Sequence, residues 1–202
     1  MSDAPVITDG AFDSQNLAFW DAIRGEYRAY WRYFTAGQTT EKNWKPEGYR
    51  AIRTATSRDF VTWGPPQDLT YVDSPTEHLY TNQVKPYYRA PHLFIGFPTR
   101  YIDRGWTESA KALPRYDYRQ VRDKQAAREG TAVTGGMFMT SRERREFAVW
   151  PESFVRPGLR TRDTWFYGDT YQNWGLVETR SDVSDAPPEL SIYVTEATGR
   201  DG

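Results

Sequence analysis

Residues 53–63 read RTATSRDFVTW, and residues 139–150 repeat the phrase as MTSRERREFAVW. In each, a β-looking run meets a Ser-Arg-acid turn, Ser57-Arg58-Asp59 or Ser141-Arg142-Glu143. Each then ends on an aromatic anchor, Trp63 or Trp150. Ser and Asp side chains satisfy turn amides with their own oxygens, and the later ring is then placed to cover the hairpin's apolar face. The last residues, 197–202 (ATGRDG), look like the same turn a third time, cut off before its following strand. Units of about four short strands that recur every several tens of residues indicate a β-propeller. A β-sandwich also uses short strands but gives no reason for the turn phrase to return. The expected fold is therefore all-β, a β-propeller.

Composition agrees with strands. Aromatics make up 16% of the 202 residues, with 8 Trp and 14 Tyr, and Leu is scarce; aromatic and β-branched side chains suit pleated surfaces. The 26 basic and 27 acidic side chains leave a net charge of −1, which removes the electrostatic footprint of a nucleic-acid binder. No apolar run approaches the roughly 20 residues of a transmembrane helix, and residues 1–5 (MSDAP) carry no signal-peptide pattern. With no Cys there are no disulfides and no Cys-ligated zinc. The compartment and the oligomeric state stay open.

Strand-like runs come in sets. Residues 16–20 and 26–34 flank a turn in which Gly25 sits where a hairpin needs positive φ. Residues 49–55 follow, and Gly64-Pro65-Pro66 stops that set. Residues 78–84 and 92–97 open a second set that resumes at 136–140. A third set holds 164–171, 174–179 and 190–195. The stretch 103–131, rich in Arg, Lys, Gln and Ala, interrupts the second set. It reads as an insertion holding a short helix or a long loop. At about 45–70 residues per blade with its loops, an estimate scaled from propeller repeats, 202 residues hold three to four blades. The chain reads as one partial propeller spanning 1–202.

In a propeller the strands start near the axis, so a funnel is lined by innermost-strand starts and the loops entering them. Asp13 lies just before the first strand and Glu77 just before a strand of the second set. Asp169 and Glu178 lie in aromatic-rich strands of the third. Candidate substrate contacts are Asn16, Trp20, His78, Tyr80, Arg100, Trp174 and Glu178: rings stack on sugar faces, and Arg donates paired hydrogen bonds to carboxylates or hydroxyls. Each has a plain structural alternative. Asp13 can close an Asx-turn, Glu77 can be a solvated loop acid, Glu178 can pair with a neighbouring Arg, and the rings can pack between blades. His78 and His92 are too few and too far apart to suggest a metal, and the residues indicate no cofactor.

The segments GAFDSQNLAFWD (10–21), YRAIRTATSRDFVTW (49–63), TEHLYTNQV (76–84), RAPHLFIGFPTRY (89–101) and GGMFMTSRERREF (135–147) together resemble the five-bladed β-propeller glycoside hydrolases of the superfamily of families 32, 43 and 68. The resemblance covers nearly the whole chain. It implies a carbohydrate substrate and three funnel carboxylates acting as nucleophile or base, transition-state stabiliser and general acid. By order along the chain, Asp13 matches the stabiliser and Glu77 the acid, while the first-blade Asp has no counterpart. Neither the Arg-Asp-Pro nor the Glu-Cys motif of family 32 is present. The expected activity is hydrolysis of glycosidic bonds in oligo- or polysaccharides, through an oxocarbenium-like state that needs one carboxyl to protonate the leaving oxygen. The alternative is a non-catalytic carbohydrate-binding or interaction propeller. A sialidase-like propeller would require three funnel arginines and a Tyr nucleophile, which the sequence does not locate.

Overall fold

The computed structural model describes residues 4–40, 42–159 and 170–196. It is mostly β, 45% strand and 10% helix, in several small sheets of which none closes on itself. The first sheet is an antiparallel meander of β1 (Leu17–Asp21), β2 (Glu26–Thr40), β3 (Asn43–Ser57) and β4 (Gln67–Asp68). The β1–β2 turn is closed by Asp21, whose Oδ1 accepts the amides of Ile23 (3.1 Å) and Arg24 (3.3 Å), and by Gly25 at φ +64°.

β2 and β3 run well past the aromatic segments that mark them in sequence. The extension is a polar ribbon with a register shift between Phe34 and Ala36. There Gly37 adopts φ +79°, and a Cβ on it would stand 2.2 Å from the Lys45 carbonyl oxygen, so only glycine fits.

The repeated phrase is one hairpin built twice. Ser57 Oγ accepts the Asp59 amide (3.3 Å) and Ser141 Oγ the Arg144 amide (2.7 Å). The third residue after each Ser is left-handed, Phe60 at φ +65° and Arg144 at φ +66°. Ser57 bridges Trp63, and the pairing Thr140↔Ala148, continued by one step, sets Ser141 opposite Phe147. The counterpart of Trp63 is thus Phe147, not Trp150. The third copy of the phrase, 197–202, lies outside the described residues, as do Asp169 and most of the run 164–171.

After β4 the chain leaves the first sheet through Leu69 and forms β5 (Thr70–Val72). β6 (His78–Leu79), β7 (Lys85–Tyr87), β8 (Ala90–Gly96) and β9 (Thr99–Asp103) follow. The extended run 78–84 yields only the short β6: Gln83 is left-handed at φ +48°, and Asn82 Oδ1 accepts the Val84 amide (3.3 Å), so local bonds replace a ladder. Residues 104–131 hold three helices, α1 (Glu108–Ala112), α2 (Tyr116–Gln125) and α3 (Arg128–Thr131), and the pair Asp103↔Ala132 closes their base. Arg119, 1% exposed, ties the helices together by donating to the carbonyls of Leu113 (2.8 Å), Pro114 (3.1 Å) and Gly130 (3.3 Å).

β10 (Ala132–Gly136), β11 (Met139–Ser141) and β12 (Glu146–Val149) complete two further sheets, ordered β10-β9-β6 and β5-β12-β11-β8-β7. Among the described residues, β13 (Tyr171–Gln172) pairs with β16 (Val194–Thr195), and β14 (Val177–Thr179) with β15 (Glu189–Ser191). The β5–β12 pair is parallel, which a meander of successive hairpins does not produce. It arises because the linking strand adds to the edge of the next sheet, where the Thr70 amide bonds to Arg145 O at 3.1 Å.

The main core draws Tyr30 and Ile52 from the first sheet, Leu79 from another, and Phe94, Met139 and Phe147 from the third. Alternation along β2 and β3 sends Tyr30 and Ile52 to this core, while Ala29, Trp31 and Ala55 pack on the other face with Ile7 and Trp63. The buried Tyr30 hydroxyl donates to Arg144 O (2.6 Å), and burial holds its pKa well above the usual phenol value. Among the described residues no helix is long and apolar enough to cross a membrane.

Candidate functional site

The core-facing parity of β2 continues Tyr30, Arg32, Phe34, and that of β3 continues Ile52, Arg50. Two residues beyond the apolar core, the same face therefore presents two guanidinium groups. Arg32 is 2% exposed. Its guanidinium carbon lies 4.8 Å from the ring centre of Tyr80 and 5.3 Å from that of Phe34. Arg50 meets the same two rings at 5.5 and 5.4 Å, and Tyr101 at 4.4 Å.

Asp13 reaches this cluster because the loop before β1 is laced along β2. Trp31 Nε1 donates to Asp9 O (2.8 Å), the Ala11 amide bonds to Arg32 O (2.8 Å), and Asn16 Oδ1 accepts the Arg32 amide (3.4 Å). The Asn16 amide group also donates to Ser14 O (2.6 Å), and Ser14 Oγ donates to Tyr80 O (3.1 Å). Arg32 then forms an ion pair with Asp13, whose side chain remains 53% exposed. The carboxylate lines a cleft of about 340 Å³ walled by Phe12 and Trp44 and by Pro5, Ile7 and the ribbon residues Thr39 and Thr40. Trp44 in turn meets Phe34 edge-on at 6.5 Å. The cleft combines exposed ring faces with a carboxylate whose orientation is set from beneath.

His78 flanks the cluster. It is half-buried, with its ring 4.9 Å from Tyr49 and 5.7 Å from Tyr101. Its Nδ1 accepts the Arg50 amide (3.1 Å). Burial, followed by the charge of Arg50, lowers its pKa below the ordinary histidine value. A neutral imidazole whose Nδ1 accepts carries its proton on Nε2, so His78 offers a donor rather than a base. Tyr80 also meets Tyr171 at 5.7 Å.

Asp13, Asn16, His78 and Tyr80 thus gather around Arg32 and Arg50, while the remaining sequence candidates stand elsewhere. Glu77 pairs with Arg100 (3.4 Å), which also donates to Pro151 O (3.3 Å) and Ser153 Oγ (3.1 Å). Glu77 lines a separate cleft of about 290 Å³ beside Tyr33, Tyr49 and Tyr71. Trp20 sits at the far end of β1 from Asn16, in a ladder of rings running Trp20, Tyr27, Phe60 and Trp63 at 4.9, 5.0 and 5.6 Å. Trp174 donates to Val84 O (3.0 Å) beneath Lys85. Glu178 is paired at the surface with Tyr88 and Arg89, and the Tyr88 hydroxyl, then Arg89, hold its pKa below the usual carboxylate value.

Arg32, Arg50 and Trp44 are not among the residues that the sequence singles out. The run Tyr30-Trp31-Arg32-Tyr33-Phe34 does not reveal the inward charge, because both of its faces carry rings and both are packed: Tyr30 joins the main core and Trp31 the second cluster. Among the described residues no group of three or more His, Asp or Glu side chains is placed to hold a metal ion.

No protein-family profile matches the chain, and no curated protein matches it. Among solved structures, the chain is similar to an N-acetylgalactosamine deacetylase from F. plautii in complex with blood group B trisaccharide. The TM-score is 0.55 and the identity 10%, over 90% of this chain and 40% of that one. At this identity the likeness is one of fold, and the chain spans about 40% of that protein's length.

Proposed function

We propose that the chain is a β-propeller-type carbohydrate-recognition domain, and that a saccharide binds in the cleft between Phe12 and Trp44 with its hydroxyls on Asp13. One observation carries the reading: a half-exposed carboxylate, oriented by a buried arginine, stands at the edge of an aromatic-walled cleft. Sugar rings offer apolar C–H faces to aromatic walls and donate hydroxyl hydrogen bonds to such a carboxylate. Titration of the chain with a panel of neutral and acidic oligosaccharides, followed by calorimetry, tests it. Trp44→Ala and Asp13→Asn should each weaken binding by about tenfold, the scale of one lost ring contact or charged hydrogen bond. Affinities unchanged in both variants would overturn the assignment.

Glycosidic hydrolysis is the enzymatic form of the same reading, with Glu77 as general acid and Asp13 as stabiliser. Two such carboxyl groups act on one bond only when they stand about 5–10 Å apart. Their engagement with different arginines and different clefts favours binding over turnover by this pair. Chromogenic glycosides decide between the forms: turnover lost in Glu77→Gln, with binding retained, establishes the hydrolase.

A further inference from the structure

The cluster around Tyr80 holds two guanidinium groups and one carboxylate, and that carboxylate belongs to Arg32. Among the described residues the Arg50 side chain has ring contacts alone: no carboxylate lies within ion-pair distance of it, and it makes no hydrogen bond. Its Nε, like that of Arg32, is closed off from water with no acceptor. His78 adds no negative charge and has already given its Nδ1 lone pair to the Arg50 backbone. The rings of Phe34, Tyr80 and Tyr101 hold the guanidinium by cation–π contact, but a ring face accepts none of the in-plane N–H donors of the fork. With Nε closed off, the in-plane edge left to a ligand is the Nη1–Nη2 end of this half-buried side chain, which can meet a carboxylate or other oxyanion with two parallel hydrogen bonds.

We infer that the saccharide bound by this chain is acidic, and that its oxyanion, a sugar carboxylate or a sulfate ester, docks on the Arg50 guanidinium. The inference rests on the carbohydrate reading above and names the class of sugar. A neutral saccharide would leave the second cation of the cluster uncompensated, whereas an acidic one matches the charge count and supplies the missing acceptor.

The test compares a uronic-acid oligosaccharide, its carboxyl-reduced neutral counterpart and a sulfated neutral oligosaccharide, titrated into the wild-type chain, Arg50→Gln and Arg50→Lys. In the wild type, at least one anionic sugar should bind roughly tenfold or more tightly than the neutral one, the scale of a charge-assisted pair. The preferred anion identifies the oxyanion. The advantage should shrink as salt is raised, vanish in Arg50→Gln, and return only in part in Arg50→Lys, which keeps the charge but not the fork. Equal binding of neutral and anionic forms, or an advantage that survives Arg50→Gln, overturns the inference while leaving the carbohydrate reading intact. If no saccharide binds, the carbohydrate reading fails separately. Thermal protection by inorganic sulfate or acetate, present in the wild type and absent in Arg50→Gln, then still supports an oxyanion site, and its absence overturns that too.

Discussion

Asp21, at the end of β1, and Arg144, in the second Ser turn, 123 positions apart in sequence, form an ion pair sealed from water, with side chains 1% and 4% exposed. The pair clamps the first hairpin onto the repeated one. Asp21 also closes its own turn, and Arg144 carries the carbonyl that accepts from Tyr30.

Removing one partner leaves a buried charge without compensation. Asp21→Asn and Arg144→Met should each lower unfolding free energy by about 3–5 kcal/mol. In the double variant the loss should fall well short of the sum of the two. Denaturant titration measures all three, and additive losses would show that the two groups act independently.

The Asp59 carboxylate accepts the amides of Thr62 (2.7 Å) and Val61 (2.8 Å) and the hydroxyl of Ser57 (3.0 Å), and these bonds lower its pKa to about 2. The unfolded value is about 3.9, so the folded state holds fewer protons between the two. The contribution is present above about pH 4 and is lost as pH falls toward 2. A carboxyl NMR titration of the full chain should find Asp59 still ionised where surface aspartates have protonated. The stability difference between wild type and Asp59→Asn should close over the same window.

His78 titrates with the same sign, for a different reason. Burial and Arg50 depress its folded pKa below the unfolded value near 6.5. The unfolded chain therefore binds the proton more readily, and stability is highest above about pH 6.5 and declines as pH falls below it. His78→Gln should flatten this part of the profile, and a wild-type stability that does not change between neutral and mildly acidic pH would contradict the placement of the ring.

Among the described residues Arg119 is bonded only within the helical segment. Arg119→Met strands three carbonyls that it now satisfies, so the helices should loosen while the sheets persist. The expected result is loss of helical circular dichroism and of amide protection in 108–131, with protection in β2, β3, β8 and β11 retained. Loss of protection in those strands as well would show that the helices and sheets unfold together.

The parts of the fold legible in the sequence are those that local chemistry decides. The Ser57 and Ser141 turns were readable because a hydroxyl or carboxylate satisfies amides two or three residues away. The ribbon beyond Phe34 was not, because its polar residues carry no alternation and its glycines answer to a register shift set by the partner strand. The run 78–84 looks like one strand because Tyr80 and Val84 are strand-type residues, whereas Asn82 and Gln83 turn the backbone. At the site, Asp13, His78 and Tyr80 were named from their place before and within strands. Arg32 and Arg50 are hidden because an arginine on a strand ordinarily faces solvent, and the rings on both faces of β2 leave its inward parity unmarked.

Leu69 alone separates the last strand of the first sheet from β5, the parallel edge of another. The N-terminal part of the chain therefore contributes backbone to a sheet whose other members all come later. Cleavage between Asp73 and Thr76 would divide the polypeptide without dividing that sheet. Two separately produced pieces, one ending and the other beginning in that connection, should reconstitute on mixing, with β5 as the graft that joins them.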